Sequence, residues 1–284
     1  MSLHWTRQKL SRESHKKGEV VIDSERGNQT PFQAALTETS VSALQKYQDI
    51  AVGERGVGAL LRYEFFTCCI AGLPGALGLW LRSRLYRRFL GRMGRNVIIG
   101  KNVTIRNPRK IFIGDHVVID DGCVLDAKGR QNAGIVIGDN VVLSRNTILS
   151  CKGGSIGIGN NTNISVNCTF ISESSMHIGA NVLFAAYCYV IAGGNHGTDR
   201  TDVSIIQQDS FSKGGVVIED NVWLGAGVNV LDGVRIEHDA IAGAGSVVIR
   251  DVPALTVVAG IPAKIIKSRT QSATECYSHD NGRV

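Results

Sequence analysis

Between Ile218 and Pro253 the chain reads IEDNVW, LGAGVN, VLDGVR, IEHDAI, AGAGSV, VIRDVP, six hexads in succession with no insertion. Ile218, Leu224, Val230, Ile236, Ala242 and Val248 open them. The fifth place of each holds a small or β-branched residue (Val222, Val228, Val234, Ala240, Ser246, Val252). A period of six fits neither the 3.6-residue turn of a helix nor the simple alternation of a strand. It fits a β-solenoid in which each hexad is one short strand and a turn, three hexads close a coil, and the first and fifth positions point inward.

The same ruler covers much more of the chain. First positions fall at Met93, Ile99, Ile105; Ile113, Ile119, Leu125; Ile137, Leu143, Leu149; Ile158, Ile164, Phe170; Ile178, Phe184, Val190; Ile218, Leu224, Val230; and Ile236, Ala242, Val248. Within each of these seven triplets the spacing is six. Extra residues fall only between triplets, as insertions of 2, 6, 3, 2, 22 and 0 residues. If a triplet is one triangular coil, every insertion leaves from the same corner. The expected fold is therefore an all-β solenoid of about seven three-hexad coils over residues 93–253, roughly 30–35 Å tall at the inter-strand spacing. The 33 glycines, the 6% of aromatic residues and the abundant Val and Ile suit a narrow core with a turn every six residues. The seven cysteines include no CxxC pair. Cys123, Cys168 and Cys188 occupy fifth positions and read as small buried hydrophobes in a reducing compartment.

The N-terminal third is built differently. Residues 1–56 form a polar extension without hexads, charged from Ser11 to Thr30 and able to form one short helix between Val41 and Glu54. The segment after Met1 lacks the apolar core and cleavage site of a secretory signal, so a cytoplasmic location is expected. Residues 57–92 hold two apolar stretches joined by Gly72-Leu73-Pro74-Gly75, which predicts a helical hairpin rather than one membrane span. Arg82, Arg84, Arg87, Arg88, Arg92 and Arg95 follow with no acid among them. Two roles fit residues 57–95: a shallow, peripheral seat on an anionic membrane at the inner leaflet, or a cap over the open end of the solenoid. Nucleic-acid binding is disfavoured, because no aromatic-basic surface recurs in the repeats.

Chemistry is expected in the longest insertion, 191–217, where His196 sits among glycines in GGNHGTDR. A loop histidine at the edge of a rigid prism can act as a general base; it can equally do no more than tie its own loop together.

Together, the repeats, the NHG loop followed by IEDNVWLGAGVNVLDGV, and the closing GAGSVVIRDVPALTVVAGIPAKII resemble the left-handed β-helix hexapeptide-repeat acyltransferases, in the branch of galactoside, maltose and capsular-saccharide O-acetyltransferases. The resemblance spans about residues 93–268. It implies a left-handed helix, a homotrimer with active sites between subunits, acetyl-CoA as donor, no metal, and a saccharide hydroxyl as acceptor. His196 matches the catalytic base of the family; its orienting partner is open among Asp199, Asp202 and a backbone carbonyl. Asn167 matches an acceptor-binding asparagine, although an Asn in a tight turn needs no ligand. Trp223, Ala226, Ala244, Ile249 and Arg250 match donor-contacting positions. Lys264 and Lys267, in the C-terminal segment 254–284, match basic residues near the CoA phosphates, where point charges replace the bidentate fork of arginine; a solvated basic tail is the plainer reading. The N-terminal region departs from the simpler sugar acetyltransferases, which favours an acceptor carried on a lipid or on a growing surface polysaccharide. The competing readings are a serine O-acetyltransferase-like enzyme, whose large helical N-terminal domain is not evident, and a β-helix scaffold without catalysis. A zinc-dependent carbonic anhydrase on the same prism would need closely spaced histidines that are missing around His196.

Overall fold

The computed structural model describes residues 40–129 and 132–269; the polar arm up to residue 39 and the tail from residue 270 lie outside the described residues. The repeats form a parallel β-helix with three sheets of seven, nine and seven strands. Each coil gives one strand to each face. On the first face Met93, Ile113, Ile137, Ile158, Ile178, Ile218 and Ile236 pair in direct register. The second face aligns Ile99 through Ala242 in the same way, and the third aligns Ile105 through Val248. All seven triplets thus stack as the six-residue spacing requires. The inward residues are fully buried from Ile99 to Val248, apart from the end coils, and Phe170 meets Phe184 edge-to-face at 5.1 Å. Cys123, Cys168 and Cys188 are buried in the fifth slots, where the Cys168 and Cys188 thiols donate to the carbonyls of Ala185 and Gly225 in the next coil.

Two corners of the prism are tight, and each is turned by a left-handed residue at the fourth place of its hexad. Asn96, His116, Asn140, Asn161, Asn181, Asn221 and Asp239 make one column; Asn102, Gly122, Asn146, Asn167, Tyr187, Gly227 and Gly245 make the other. Asparagine tolerates this conformation because its short amide can bond locally. Here it also bonds vertically, Asn140 to Asn161 to Asn181 at 3.1 Å each. The third corner carries all the insertions.

The solenoid exceeds the expected seven coils. Val252 bridges to Ile236, and Thr256–Ala259 adds a strand to the second face, beginning an eighth coil. The chain then folds back as Lys264–Ser268, antiparallel to that strand. The last edge of the second sheet is therefore covered by the chain itself rather than left open to pairing.

At the other end, helices α1 (Ala43–Tyr47), α2 (Val57–Glu64) and α3 (Gly75–Phe89) lie over the first coil, α1 and α2 running on into π-helical turns. Tyr63, Phe66, Ile70, Tyr86 and Phe89 are buried, with Phe66 stacked on Phe89 at 4.4 Å. The helices also take up the open backbone of the first coil. Arg82 Nε donates to the Ile99 carbonyl (2.8 Å) and the Tyr63 hydroxyl to that of Ile105 (2.9 Å), while the N–H of Asn102 reaches the Ala71 carbonyl (2.8 Å). The hairpin is a cap. Of the six arginines grouped from the sequence, two do not belong to an outward basic face. Arg82 is only 1% exposed and its guanidinium also bonds the Leu73 and Ile70 carbonyls, and Arg95 pairs with Asp115 at 2.9 Å. Among the described residues no helix is long and apolar enough to cross a membrane.

Arg82→Leu would take the side-chain donor from the Ile99 and Leu73 carbonyls, at about 1–3 kcal/mol for each left unpaired. It is expected to lower thermal stability strongly and to expose residues 57–89 to proteolysis. Arg84→Leu, at an exposed site on the same helix, should change stability by no more than about 0.5 kcal/mol.

Candidate active site

The 22-residue insertion leaves the third face after Tyr189–Ala192 and is itself ordered. Asn195–His196 pairs antiparallel with Ser210–Phe211 as a small ribbon, extended by Gly197 N–H to the Asp209 carbonyl at 3.0 Å. Its two ends are tied to one carboxylate. Asp232, only 6% exposed, accepts from Asn195 Nδ2 (2.7 Å), the Ser212 hydroxyl (3.2 Å) and the N–H groups of Lys213 (2.5 Å) and Gly215 (3.0 Å). Burial alone would raise this carboxyl, but the N–H groups of Lys213, Gly193 and Gly215 and the Ser212 hydroxyl outweigh it and hold the group below the usual carboxylate range. Gly215 re-enters the sheet at φ +95°, where a Cβ would come within 2.0 Å of the Ser175 carbonyl oxygen.

His196 is half-buried beside this clamp, and its Nδ1 is buried without a hydrogen-bond partner among the described residues. None of the three proposed orienting groups reaches it. Asp202 is held by Arg200 at 2.5 and 3.1 Å, and neither Asp199 nor a backbone carbonyl bonds the ring.

The other candidate residues divide between corners. Asn167 turns the tight corner between the second and third faces, left-handed at φ 59°, where its Oδ1 accepts from Asn146 at 3.1 Å. Ala226 and Ala244 lie in the turns of the same corner two and three coils on, beside the left-handed Gly227 and Gly245. Trp223 stands on the second face, in register between Leu183 and Ile241, with 48% of its surface exposed. Lys264 and Lys267 are exposed on the fold-back strand at the edge of that face. Ile249 and Arg250 are exposed beyond Val247–Val248, at the insertion corner with His196. Within one chain, Asn167 precedes its third-face strand and His196 follows the strand Tyr189–Ala192 of the next coil, so the two sit at opposite edges of that face. They do not converge.

Two residues were missed in the sequence. Asp232 looks like a turn residue in VLDGVR; nothing local says that it faces a loop 20 and 37 positions away. Tyr187 had a readable signal, because it breaks the Asn/Gly rule of its fourth-place column. It is left-handed at φ 63°, 66% exposed, and stacked between Asn167 and Gly227. A bulky residue there costs on the order of 1–2 kcal/mol, a strain that commonly marks a contact with a ligand or partner.

The lowered folded value of Asp232 means that its stabilisation of the loop is complete above about pH 4, the unfolded carboxyl value, and is lost as pH falls through the folded one. Limited proteolysis should accordingly leave residues 193–215 intact at neutral pH and cut them in acid, and Asp232→Asn should be cut at neutral pH. Tyr187→Gly is expected to raise thermal stability by about 1 kcal/mol; a drop would show that the ring packs favourably.

A family model described as the hexapeptide repeat of succinyl-transferase matches residues 92–127 and 215–250. The galactoside O-acetyltransferase of Lactococcus lactis subsp. lactis is 32% identical over 132 residues, which is 45% of this chain and 59% of that protein. A putative acetyltransferase of Saccharomyces cerevisiae is 36% identical over 119 residues, covering 42% and 59%. The 2,3,4,5-tetrahydropyridine-2,6-dicarboxylate N-acetyltransferase of Enterococcus faecalis is 56% identical over 63 residues, 21% of this chain and 27% of that one. The chain spans less than two thirds of the length of these curated relatives. The repeat model thus matches the first and late coils of this chain, and the continuous six-residue register between them is that of a hexapeptide-repeat β-helix.

Proposed function

We propose that the protein transfers an acetyl group from acetyl-CoA to a hydroxyl of a saccharide, with His196 as general base. The observation that carries this reading is the fixed loop around His196, clamped at both ends by Asp232, in a chain similar to a galactoside O-acetyltransferase. A ring nitrogen of His196 takes the proton of the acceptor hydroxyl as its oxygen attacks the thioester carbonyl. The tetrahedral intermediate collapses by breaking the carbon–sulfur bond, and the imidazolium returns the proton to the CoA sulfur. No acyl-enzyme is needed.

The separation of the candidate residues bears on assembly. With His196 at one edge of the third face and Asn167 at the other, a single chain holds the two halves of a site apart. In a homotrimer the insertion corner of one copy faces the tight corner of its neighbour, which joins the base to Asn167, Tyr187 and the groove past Ala226 and Ala244. Trp223 then covers the pantetheine arm, Ile249 and Arg250 border it, and Lys264 and Lys267 meet the CoA phosphates. The acceptor best suited to the capped N-terminal end is a saccharide on a lipid carrier or a growing surface polysaccharide.

Thermal unfolding with acetyl-CoA, CoA and dephospho-CoA tests the donor site without a guess about the acceptor. Ligand at a hundred times its dissociation constant should stabilise by about 2.7 kcal/mol, and dephospho-CoA should shift the transition less if the lysines hold the phosphate. His196→Ala should keep the acetyl-CoA shift and lose on the order of 10²–10⁴ in acetyl transfer to saccharides. A chain that no CoA species stabilises would instead be a scaffold.

A further inference from the structure

We infer that the outer face of the N-terminal cap is a docking surface for an anionic lipid bilayer. The inner faces of α2 and α3 are occupied by the first coil, so their opposite faces point away from the solenoid. On α2 and its π-helical extension that side carries Leu61 and Phe65, 64% and 50% exposed; on α3 it carries Leu77 and Trp80, 66% and 59% exposed. Four large apolar side chains thus stand exposed on the outer sides of these helices, and on α3 Leu77 and Trp80 lie one turn apart on the same side. The charge pattern selects the partner. Leu77, Trp80, Arg84 and Arg88 follow spacings of three and four, so they share one side of α3, apolar in the first turns and basic in the last. Arg84, Arg87 and Arg88 make no ion pair among the described residues. No Asp or Glu occurs between Glu64 and Asp115.

A second copy of the chain fits this face poorly, since a two-fold contact would oppose like arginines. A bilayer fits both halves, with the apolar turns at the acyl boundary and the guanidinium groups on lipid phosphates. The helices lie in the interface and do not cross it. One consequence rests on the transferase reading above, whereas lipid binding does not. The loop of His196 leaves the fifth coil, four coil steps of about 4.8 Å from the first, and the capping helices add roughly 10 Å. A lipid-linked acceptor would have to display its hydroxyl about 30 Å from the membrane, on a chain of sugars rather than on the residue next to the lipid.

The test is sedimentation of the full chain with vesicles of phosphatidylcholine alone or mixed with phosphatidylglycerol. The expected result is binding to the anionic vesicles only, weakened by salt, with a blue shift in tryptophan emission that disappears in Trp80→Phe. Leu77→Ser with Trp80→Ser should abolish binding. Arg84→Gln, Arg87→Gln and Arg88→Gln together should weaken it roughly a hundredfold. Circular dichroism and thermal midpoints of both variants should match the parent, since these side chains lie outside the packed core. Absence of binding to anionic vesicles overturns the proposal, as does equal binding by the variants. So does a concentration-dependent rise in mass that the variants abolish, because another copy would then cover the patch.

Discussion

The structure depends on one constraint, the direct stacking of each inward side chain on its counterpart in the next coil. Ile99, Ile119, Leu143, Ile164, Phe184, Leu224 and Ala242 form such a row, bonded coil to coil through parallel strands. A single extra residue inside a triplet would turn the following inward residue to the outside and misalign the ladders on both sides. The chain can therefore vary only where a coil ends. That is why all the insertions, including the one with His196, emerge at a single corner, while the other two are reduced to columns of left-handed turns.

A stack of this kind is stable in its middle and exposed at its ends. The two ends are closed by different means. At the C-terminal end the chain adds part of an eighth coil and pairs Lys264–Ser268 back along the edge of the second sheet. At the N-terminal end helices must satisfy a coil edge, and the N–H groups of a helix beyond its first turn are already used within it. Side chains do this instead, with Arg82 and Tyr63 donating to the Ile99 and Ile105 carbonyls. A buried guanidinium with carbonyl partners and no carboxylate works here because several oxygen dipoles share the single charge.

The candidate site follows the same division of labour. The prism supplies rigid corners and the insertion supplies the histidine, but a loop of that length needs an anchor to hold a fixed pose. Asp232 fills that role from the end of the following coil, gathering both ends of the loop onto one buried carboxylate. Tyr187 stands in the opposite corner column, where the backbone strain of a bulky left-handed residue is tolerated between Asn167 and Gly227.

The amino-acid sequence by itself determined the number and register of the seven complete coils, the corner of the insertions, the inward cysteines and the helical hairpin. Each of these follows from contacts between neighbouring repeats, so a local period is enough to specify them. It also singled out His196 and the outward Trp223. Only the tertiary structure decided that Arg82 turns inward, that Arg95 is taken by Asp115, that Asp232 clamps the loop, that Asp199 and Asp202 leave the imidazole alone, and that the chain runs into an eighth coil. These depend on which residue lies above which after the coils have closed and the insertion has folded back. A period in sequence records spacing along the chain, whereas partnership across a loop or against a cap is set by distances that only the stacked coils create.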